Sequence, residues 1–435
     1  MNNKIAAGAC CAALVLGAGV YFGGVIMTKH QADRMIPTAL ENANRQLDTK
    51  GTGLRIDYER LSDGLMSEKA KITMIWDPVR STVANLSPAD IASIGRQSLV
   101  LEGDIDYGFL SYDSRFRTVS SSFDPKLREY GLKSFPDIRI NINGGVSGNL
   151  HANVQVPETE LKSENGGGSF KLREAKITYS ADARTGKLLD GSLDAGGAVV
   201  SSKDDSGEIS LNVGRVKTDV EESGRMDSFV ESASFDFTPK SDTAHSLNAS
   251  AQEIRVKSGM DGSDYGYALS AGNLVYTIAG KRAEKPVKGV FTVNDAQLNF
   301  RVRNAQKGLE EALSGSDEQA LLRYIRANGL DMSADLGGKY GKGDISLKAD
   351  AKVQKGFDPT NYAQYAGKVE AKASVSLPKA LIADIDNTSE AFGNTANLSD
   401  MMLMVKDFLK ITDTTISTDA ELKDGHLKVN GKNVM

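Results

Sequence analysis

Cysteine is almost absent from this chain of 435 residues: Cys10 and Cys11 are adjacent near the start, and the chain from Lys29 to Met435 has none. The main part of the chain therefore forms no disulfides and offers no cysteine ligands for zinc. It also has no free thiols that an oxidising compartment would cross-link wrongly. This composition is compatible with a domain that folds after export.

Aromatic residues are scarce as well, at 6% of the chain, so aliphatic residues and methionine must supply most of the core. A strong excess of positive charge is also missing, because the formal net charge is −5. Nucleic-acid binding depends on a basic face that neutralises phosphates, so we expect no nucleic-acid partner. The length exceeds what one hydrophobic core usually organises, which predicts two domains or one elongated domain.

Motifs with catalytic or cofactor-binding spacing are also missing. The glycines between Gly337 and Gly343 lack the spacing of a phosphate loop, and the acidic run at Asp261 lacks the final Glu of a calcium loop. There is no Gly-x-Ser-x-Gly elbow. We expect no catalytic activity, no cofactor and no metal; an enzyme with a site built from distant carboxylates, acting on an envelope polymer, stays open as an alternative. The histidines are far apart: His30, His151, His245 and His426.

A run without any ionisable acid or base extends from Ile5 to Met27. At about 1.5 Å rise per helical residue, it is long enough to cross a hydrocarbon core of roughly 30 Å. We predict a cytoplasmic tip and a signal-anchor transmembrane helix over residues 1–27. A cleaved secretory signal is the alternative, because it also combines an apolar region with small residues. Gly19 and Gly23 have the small-xxx-small spacing of associating membrane helices, which leaves a homodimer and a monomeric anchor both open.

The charges on either side of this segment do not decide its orientation, since Lys4 precedes it and Lys29 and Arg34 follow it. The cysteine-free main domain and the short tail before the anchor favour a cytoplasmic amino terminus. We therefore predict a single-pass protein of the bacterial inner membrane whose C-terminal domain lies in the periplasm.

The chain beyond the anchor has a β pattern. Glycine-rich turns separate segments in which apolar and polar residues alternate, as in half-buried antiparallel strands. The fold class that we predict is mainly β: a transmembrane helix and a stalk helix, followed by an elongated antiparallel β-rich domain with a few packed helices. The alternating segments are Ile138–Ile142, Ile209–Val213, Ile254–Val256, Ile345–Ala349 and Leu427–Val429.

Three segments have helical periodicity. Residues 28–50 are the predicted stalk helix, because Ile36, Leu40, Ala43 and Leu47 share one face. Residues 316–328 begin with a capping box. Residues 398–410 have a methionine-rich apolar side, which we expect to pack on the sheet.

The best candidate for a domain boundary is the stretch from Pro157 to Gly168, which contains three adjacent glycines. We therefore divide the β-rich part of the chain into a first half of residues 51–160 and a second half of residues 161–435. We find no repeat of fixed period and no low-complexity linker.

Three short segments, Leu54–Ser67, Ile105–Phe109 and Asp424–Lys432, resemble the YdgA-like family of bacterial inner-membrane proteins. Tyr107 stands where that family tends to have His, and the Pro that tends to follow in the family is missing. The resemblance implies an anchored periplasmic protein without an assigned reaction. We interpret the matching residues as structural, for core packing and tight turns. These residues are Tyr58, Gly64, Asp106, Gly108, Phe109, Asn430 and Gly431.

The function that these features favour is non-catalytic binding of an envelope component, either a lipid or an exported protein, on a β-rich scaffold tethered to the membrane. An apolar ligand needs a lined groove, whereas a protein partner can add a strand to an exposed sheet edge. A self-associating structural scaffold of the envelope is the alternative, based on the seam of Gly19 and Gly23.

Overall fold

The fold, taken from a computed structural model, is mainly β. The predicted anchor of residues 1–27, with Gly19 and Gly23, lies outside the described residues. Within the described ranges no helix is long and apolar enough to cross a membrane. The structure describes residues 28–34, 36–38, 40–42, 44–45, 47–49, 51–81, 95–122, 136–145, 147–162, 167–182, 185, 187–241, 245–282, 285–306, 308–309, 312, 318–358, 365–393 and 397–434.

Contacts divide the chain into two compact units. Unit 1 comprises residues 1–197 and 219–222, and unit 2 comprises residues 198–218 and 223–435. The described strands of unit 1 are β1 Leu54–Asp63, β2 Ser67–Trp76, β3 Gln97–Gly108, β4 Ser111–Ser121, β5 Arg139–Gly145, β6 Asn149–Val156, β7 Thr159–Lys162, β8 Gly168–Leu172, β9 Ala175–Asp182 and β10 Lys187–Ala195.

Unit 1 is an antiparallel meander. Its strands pair in the order β1-β2-β3-β4-β5-β6-β9-β10, and β7 and β8 pair with each other as a hairpin. The predicted strand at Ile138–Ile142 is confirmed as β5. Strand β6 precedes position 160 and β9 follows it, and the two strands pair with each other. The boundary between the two units therefore lies later in the chain than the boundary between residues 160 and 161 that we drew from the sequence.

A helix covers one face of unit 1. Residues 28–49 are helical at every described position and form α1, which lies where the stalk helix was predicted. Ala32 of α1 is buried in the same cluster as side chains from β2 to β5. The helix is therefore packed on the sheet. The strand residues of this cluster are Ala70, Leu101, Ile105, Tyr107, Phe116 and Ile140.

Polar contacts fix the register of α1 against β1. The Asn44 amide donates to the Ile56 carbonyl at 2.8 Å and accepts from the Ile56 N–H at 2.8 Å. This side chain therefore makes the two backbone hydrogen bonds that a neighbouring strand would make at this edge of the sheet. Near the start of α1, Lys29 pairs with Asp63 and donates to the Gly64 carbonyl at 2.8 Å. Contacts at both ends of the helix therefore hold it along β1.

Unit 2 contains the longest strands. The strands predicted at Ile209–Val213, Ile254–Val256, Ile345–Ala349 and Leu427–Val429 are confirmed. The described strands that belong to unit 2 or begin in it are β11 Ala198–Lys203, β12 Gly207–Val213, β13 Val216–Glu221, β14 Met226–Pro239, β15 Ser246–Asp261, β16 Asp264–Arg282, β17 Lys285–Val302, β18 Leu330–Tyr340, β19 Gly343–Val353, β20 Val369–Pro378, β21 Lys410–Ile411, β22 Thr415–Lys423, β23 His426–Val429 and β24 Lys432–Asn433.

The strands of unit 2 pair antiparallel with the next strand along the chain from β14 to β20. Strand β12 lies between β11 and β14, and β22 pairs with β20 on one side and with β21 and β23 on the other. Strand β23 also pairs with β24. The result is a sheet built largely from consecutive hairpins.

The described helices of unit 2 are short: α2 Glu318–Asn328, α3 Tyr365–Lys368, α4 Lys379–Ala391 and α5 Leu398–Met404. Helix α2 lies where residues 316–328 were predicted. The helix predicted near 398–410 ends earlier, at Met404, because a 3-10 turn and β21 follow it. Helix α4 was not predicted.

The methionine-rich side of α5 does not pack on the sheet, so that expectation was wrong. Leu403 is 60% exposed and Met404 is 86% exposed, and no residue of α5 is buried. The Asp386 carboxylate of α4 accepts hydrogen bonds from the Leu398 N–H at 2.6 Å and the Ser399 N–H at 3.1 Å. These contacts orient α5 through its first turn rather than through its apolar side chains.

The apolar residues of β16 change from one face of the sheet to the other along the strand. Tyr265, Tyr267, Leu269 and Ala271 have odd numbers, whereas Leu274, Tyr276 and Ile278 have even numbers. Because successive strand residues point to opposite faces, these two sets lie on opposite sides. The first side packs on α2 through Tyr265 and neighbouring side chains of β17.

Replacing Asn44 with Ala should destabilise unit 1 by about 1–3 kcal/mol, because the Ile56 N–H and carbonyl lose their partners on that edge. The loss is measured as a lower urea midpoint in the fluorescence of Trp76, the single tryptophan, which lies in β2. Arg45→Ala is the control, since Arg45 is exposed and pairs with Glu41 on the same helix. An equal loss in both variants would contradict this role of Asn44.

Candidate functional site

An apolar row crosses six strands of unit 2 on one face of the sheet. Directly paired residues of neighbouring strands lie on the same face, so the pairing register identifies the row. It runs through β11, β12, β14, β15, β16 and β17 as Val200, Leu211, Phe235, Ala249, Tyr276 and Phe291.

Two further rows flank it on the same face. In one of them, each residue lies two positions from the central row, toward the end of the sheet at which β12 connects to β14. In the other, each residue lies two positions from the central row in the opposite direction. The first row is Ala198, Val213, Ala233, Ala251, Leu274 and Val293, and the second is Ser202, Ile209, Phe237, Leu247, Ile278 and Gly289.

The reverse face of the same strands is largely polar. Ser210, Asp236, Asn248 and Thr277 are paired with one another across β12, β14, β15 and β16. The Asn248 amide donates a hydrogen bond to the Asp236 carboxylate. In this part of unit 2 the apolar rows therefore define a single apolar face.

The central row and the flanking row that contains Ala233 and Leu274 line an open groove of about 380 Å³. Alanines make its floor, and larger side chains rise from the strands on either side. Tyr276 and Phe291 face each other with ring centroids 6.3 Å apart. The described residues that line the groove include no charged side chain. The apolar lining is Leu211, Ala233, Phe235, Ala249, Ala251, Leu274, Tyr276, Phe291 and Val293.

The walls of the groove are unusually open for large apolar side chains. Leu211 and Tyr276 are each 43% exposed, Phe235 is 38% exposed and Leu274 is 37% exposed. Isolated exposed apolar residues are ordinary, but a contiguous apolar patch on a protein surface marks a place where something binds. The volume lies within the range of about 300–1,000 Å³ that is typical of small-molecule sites.

Aromatic rings and α4 cover the same face of the sheet outside the groove, at and beyond the row that contains Ile278. His245 directly precedes β15, and its ring meets the ring of Phe392 edge-on with centroids 4.6 Å apart. A Cβ added at Gly280 would lie 2.5 Å from the His245 ring and 3.2 Å from the Phe392 ring, so both rings lie over β16 at this position. Thr388 of α4 covers Gly289 of β17 in the same way.

The other end of the groove meets charged residues on the same face. On β14, the next residue of this face after Ala233 is Glu231. On β15, the next residue of this face after Ala251 is Glu253. Glu253 has a left-handed backbone with φ of 52°. A Cβ added at Gly272 would lie 3.0 Å from the Glu253 carboxylate oxygen, so this side chain lies over Gly272 of β16.

Basic residues follow the two carboxylates. The Arg255 guanidinium lies 5.3 Å from the centroid of the Phe229 ring on the neighbouring strand. Lys217 and Arg215 of the chain segment next to β14 are exposed in the same region. This apolar face therefore runs from positions covered by α4, past the groove, to positions that carry both signs of charge.

Unit 1 contains a separate buried charge. Glu68 of β2 is 2% exposed and lies beneath α1. The Tyr58 hydroxyl donates to its Oε1 at 2.7 Å, and the Arg60 Nε lies 3.0 Å from its Oε2. Arg60 also pairs with Asp33 of α1. Because Glu68 is enclosed by partners and by the helix, this cluster links α1 to the sheet rather than opening to a substrate.

Several tyrosines of unit 1 are held in the neutral form. Burial, together with the hydrogen bond to Glu68, raises the pKa of Tyr58. Burial and the nearby charge of Glu68 raise the pKa of Tyr107. Burial also raises the pKa of Tyr112 and Tyr179.

The signature residues of unit 1 lie around this cluster. Tyr58 contacts Glu68 as described, and the Gly64 carbonyl accepts from Lys29. Asp106 pairs with Arg115 at 2.5 Å on the exposed side of β3 and β4. Gly108 and Phe109 lie where β3 turns into β4, and Phe109 is exposed.

The signature residues at the end of the chain form a tight turn. Asn430 and Gly431 connect β23 and β24 with φ of 49° and 80°. The Asn430 side chain donates to the Phe408 carbonyl at 2.8 Å and accepts from the Asp419 N–H at 3.0 Å. These contacts fasten the turn to the rest of unit 2.

No group of three or more described His, Cys, Asp and Glu residues could hold a metal ion. His151 lies 2.8 Å from the Ser180 hydroxyl, and the Ser180 hydroxyl donates to Asp190 at 2.9 Å. This contact joins three neighbouring strands, β6, β9 and β10. Ser180 is buried, and the two residues paired with it, His151 and Asp190, are exposed.

The groove residues were not predicted as a site from the sequence. Ile209–Val213 was predicted as a strand from the sequence, but its apolar side was taken as buried. The available signal was the direct pairing of Phe235 with Ala249 and of Ala249 with Tyr276, which follows once the register of the hairpins is known. That register depends on turn positions, which the sequence indicates only in part.

The fold and the groove define a large antiparallel β protein with an open apolar sheet face. The chain belongs to the bacterial family of unknown function described as DUF945, whose family model matches residues 2–223 and 329–435. The signature residues of both units fall in the matched segments, whereas most of the groove falls between them. No curated protein and no solved structure is detectably similar to the chain.

Unit 1 should lose stability as the pH rises above about 10, where tyrosines of an unfolded chain ionise. The raised pKa values of Tyr58 and Tyr107 keep these groups protonated in the folded state, so the unfolded state releases protons first and gains stability. The test is the urea midpoint of Trp76 fluorescence across this pH range. The double variant Tyr58→Phe and Tyr107→Phe should show a smaller decline. A decline as steep as that of the parent would contradict the assignment.

Proposed function

We propose that the protein is a non-catalytic, membrane-anchored protein of the bacterial periplasm that binds the acyl chain of an envelope lipid in the groove of unit 2. The observation that carries the proposal is the continuous apolar lining of that groove, which no described element of unit 2 covers. Burial of a hydrocarbon chain contributes about 0.8 kcal/mol for each methylene group. A chain in contact with this lining therefore has a sufficient driving force for binding.

A lipid fits the groove better than an added protein strand. A strand binds by pairing its backbone with an open sheet edge. The groove lies on the face of β14, β15 and β16, whose backbone groups are already used in pairing with neighbouring strands. Affinity at this site must therefore come from apolar burial, which an acyl chain supplies without unpaired polar groups.

The membrane placement rests on the sequence. The uncharged run from Ile5 to Met27 is long enough to cross a bilayer, and the YdgA-like resemblance implies inner-membrane anchoring with a periplasmic domain. Membership of the DUF945 family is consistent with this proposal and assigns no activity. An anchor of this kind would keep the groove within reach of a lipid source.

Replacing Ala249 with Phe should weaken binding of palmitate at least about tenfold, because the new ring occupies the groove floor and displaces two or more methylene groups. Binding is measured with labelled palmitate and the full chain held in an amphipathic polymer. Val290→Phe is the matched control, since Val290 lies on the reverse face of β17 and is already 47% exposed. Equal palmitate binding by Ala249→Phe and the parent would remove the groove from the proposal.

A self-associating scaffold is the second candidate, and the exposed apolar side of α5 favours it. Leu403→Asp combined with Met404→Asp should abolish any oligomer that this surface forms, because an interface does not tolerate unpaired charge at its centre. Sedimentation of the full chain measures the change. Arg45→Ala, on the surface of unit 1, serves as control. A monomeric parent, or an oligomer that survives the charge substitutions, would exclude this surface as the seam.

A further inference from the structure

We propose that the tips of two hairpins in unit 1 enter the headgroup layer of the same bilayer that holds the predicted anchor. The residues at these tips are Leu65 and Met66 between β1 and β2, and Phe109 and Leu110 between β3 and β4. We call these four residues the apolar tips. The inference rests on the proposed function only for the anchor, because it needs residues 1–27 in a membrane and makes no use of the groove.

The apolar tips include large side chains that the fold leaves open. Leu65, Met66 and Phe109 are between 43% and 49% exposed. The two turns are neighbours, because the Tyr107 N–H donates to the Met66 carbonyl at 2.7 Å. Large apolar residues that lie together on a protein surface indicate a place where a protein or a membrane binds. The apolar tips therefore form one candidate surface at one end of the sheet of unit 1.

Helix α1 begins beside this end of the sheet. Lys29, its second described residue, donates to the Gly64 carbonyl at 2.8 Å. Gly64 directly precedes Leu65, so the start of α1 is in contact with the turn between β1 and β2. Asn44, farther along α1, is bound to Ile56 near the other end of β1. The start of the helix, rather than its end, therefore lies beside the apolar tips.

The predicted anchor ends directly before α1. Its uncharged run stops at Met27, and Lys29 is the second residue after it. Two residues span at most about 7 Å even when the chain is fully extended. The headgroup layer on each side of a bilayer is about 5–8 Å thick, which is half the difference between the whole bilayer and its hydrocarbon core. Lys29 and the turn that it contacts therefore lie in or beside the headgroup layer when the anchor spans the membrane.

The turn between β3 and β4 is built from residues that form such turns poorly. Leu110 has a left-handed backbone, with φ of 58°. Glycine and asparagine adopt this conformation readily, whereas a large side chain is strained in it. A turn of asparagine and glycine would therefore join the same two strands with less strain. The presence of Phe109 and Leu110 indicates a role beyond forming the turn, and contact with lipid supplies one.

Acidic groups next to the apolar tips are paired with basic ones. Asp63 pairs with Lys29, and Asp106 pairs with Arg115 at 2.5 Å. Because each pair has no net charge, it neither repels nor attracts anionic headgroups strongly. Insertion therefore depends on the apolar side chains rather than on the charge of the lipid. We expect the same insertion in neutral and in anionic bilayers.

The depth of the apolar tips is tested with the full chain in phosphatidylcholine vesicles whose lipids carry quenchers in their acyl chains. Cys10 and Cys11 are replaced with Ser, and a single dye is attached to Leu65→Cys, Phe109→Cys or Val79→Cys. Val79 is the matched control, because it is 75% exposed and lies beyond β2 at the opposite end of the sheet. Quenching at the two tip positions should be at least about threefold stronger than at the control position, with or without added phosphatidylglycerol.

The contribution of the apolar side chains is tested from a neighbouring position. With the dye on Met66→Cys, the double substitution Leu65→Asp and Phe109→Asp should lower quenching at least about threefold, because charged side chains withdraw from the acyl boundary. Val79→Asp should leave the quenching unchanged. The urea midpoint of Trp76 fluorescence in the unlabelled variants should equal that of the parent, since the substituted side chains are exposed. Unchanged quenching in the double variant overturns the inference.

The outcomes separate this inference from the proposed function. Equal quenching at Leu65, Phe109 and Val79 overturns the inference, whereas binding in the groove is decided independently by Ala249→Phe. If alkaline carbonate removes the full chain from the vesicles, the anchor prediction is wrong, and the membrane placement and this inference both fail. A dye signal at the apolar tips that depends on protein density and not on lipid quenchers would assign this surface to a second copy of the chain, which also overturns the inference.

Discussion

The structure depends on one constraint, which is that the apolar face of a sheet needs a cover. Unit 1 meets it with α1, which places Ala32 over the strands and is held along β1 by Asn44 and Lys29. Unit 2 meets it only in part. Helix α2 covers one side of the long strands through Tyr265, and α4 covers one end of the other side. The apolar rows between Val200 and Phe291 are left as a groove, and the binding proposal follows from that incomplete cover.

Periodicity in the sequence was enough to identify the fold class and several strands, but it could not show which apolar faces are covered. The alternation in Ile209–Val213 correctly indicated a strand. The same pattern arises whether the apolar side is buried by a helix or left open, so Leu211 was taken as core. The methionine-rich residues of α5 led to the same error. Cover depends on which distant element packs on a face, and a local pattern contains no information on that.

The sequence was a better guide to turns and to signature residues than to the groove and the buried charge. Asn430 and Gly431 have left-handed backbones in a tight turn, which is the conformation that this pair favours. Glu68 was missed because a lone glutamate in a strand usually faces water. Its partners Tyr58 and Arg60 come from β1, and Asp33 reaches Arg60 from α1. Only the folded register brings these side chains to one place.

The consecutive pairing of β14 to β20 has a consequence for the order in which unit 2 forms. Each of these strands pairs with the strand made just before it, so a growing chain can add them one at a time. The groove floor and both walls are complete once β17 has joined. Helix α4, which covers Gly289 on the same face, begins at Lys379, about ninety residues after Phe291. The nascent protein therefore passes through a stage in which the apolar face is complete but α4 does not yet cover any of it.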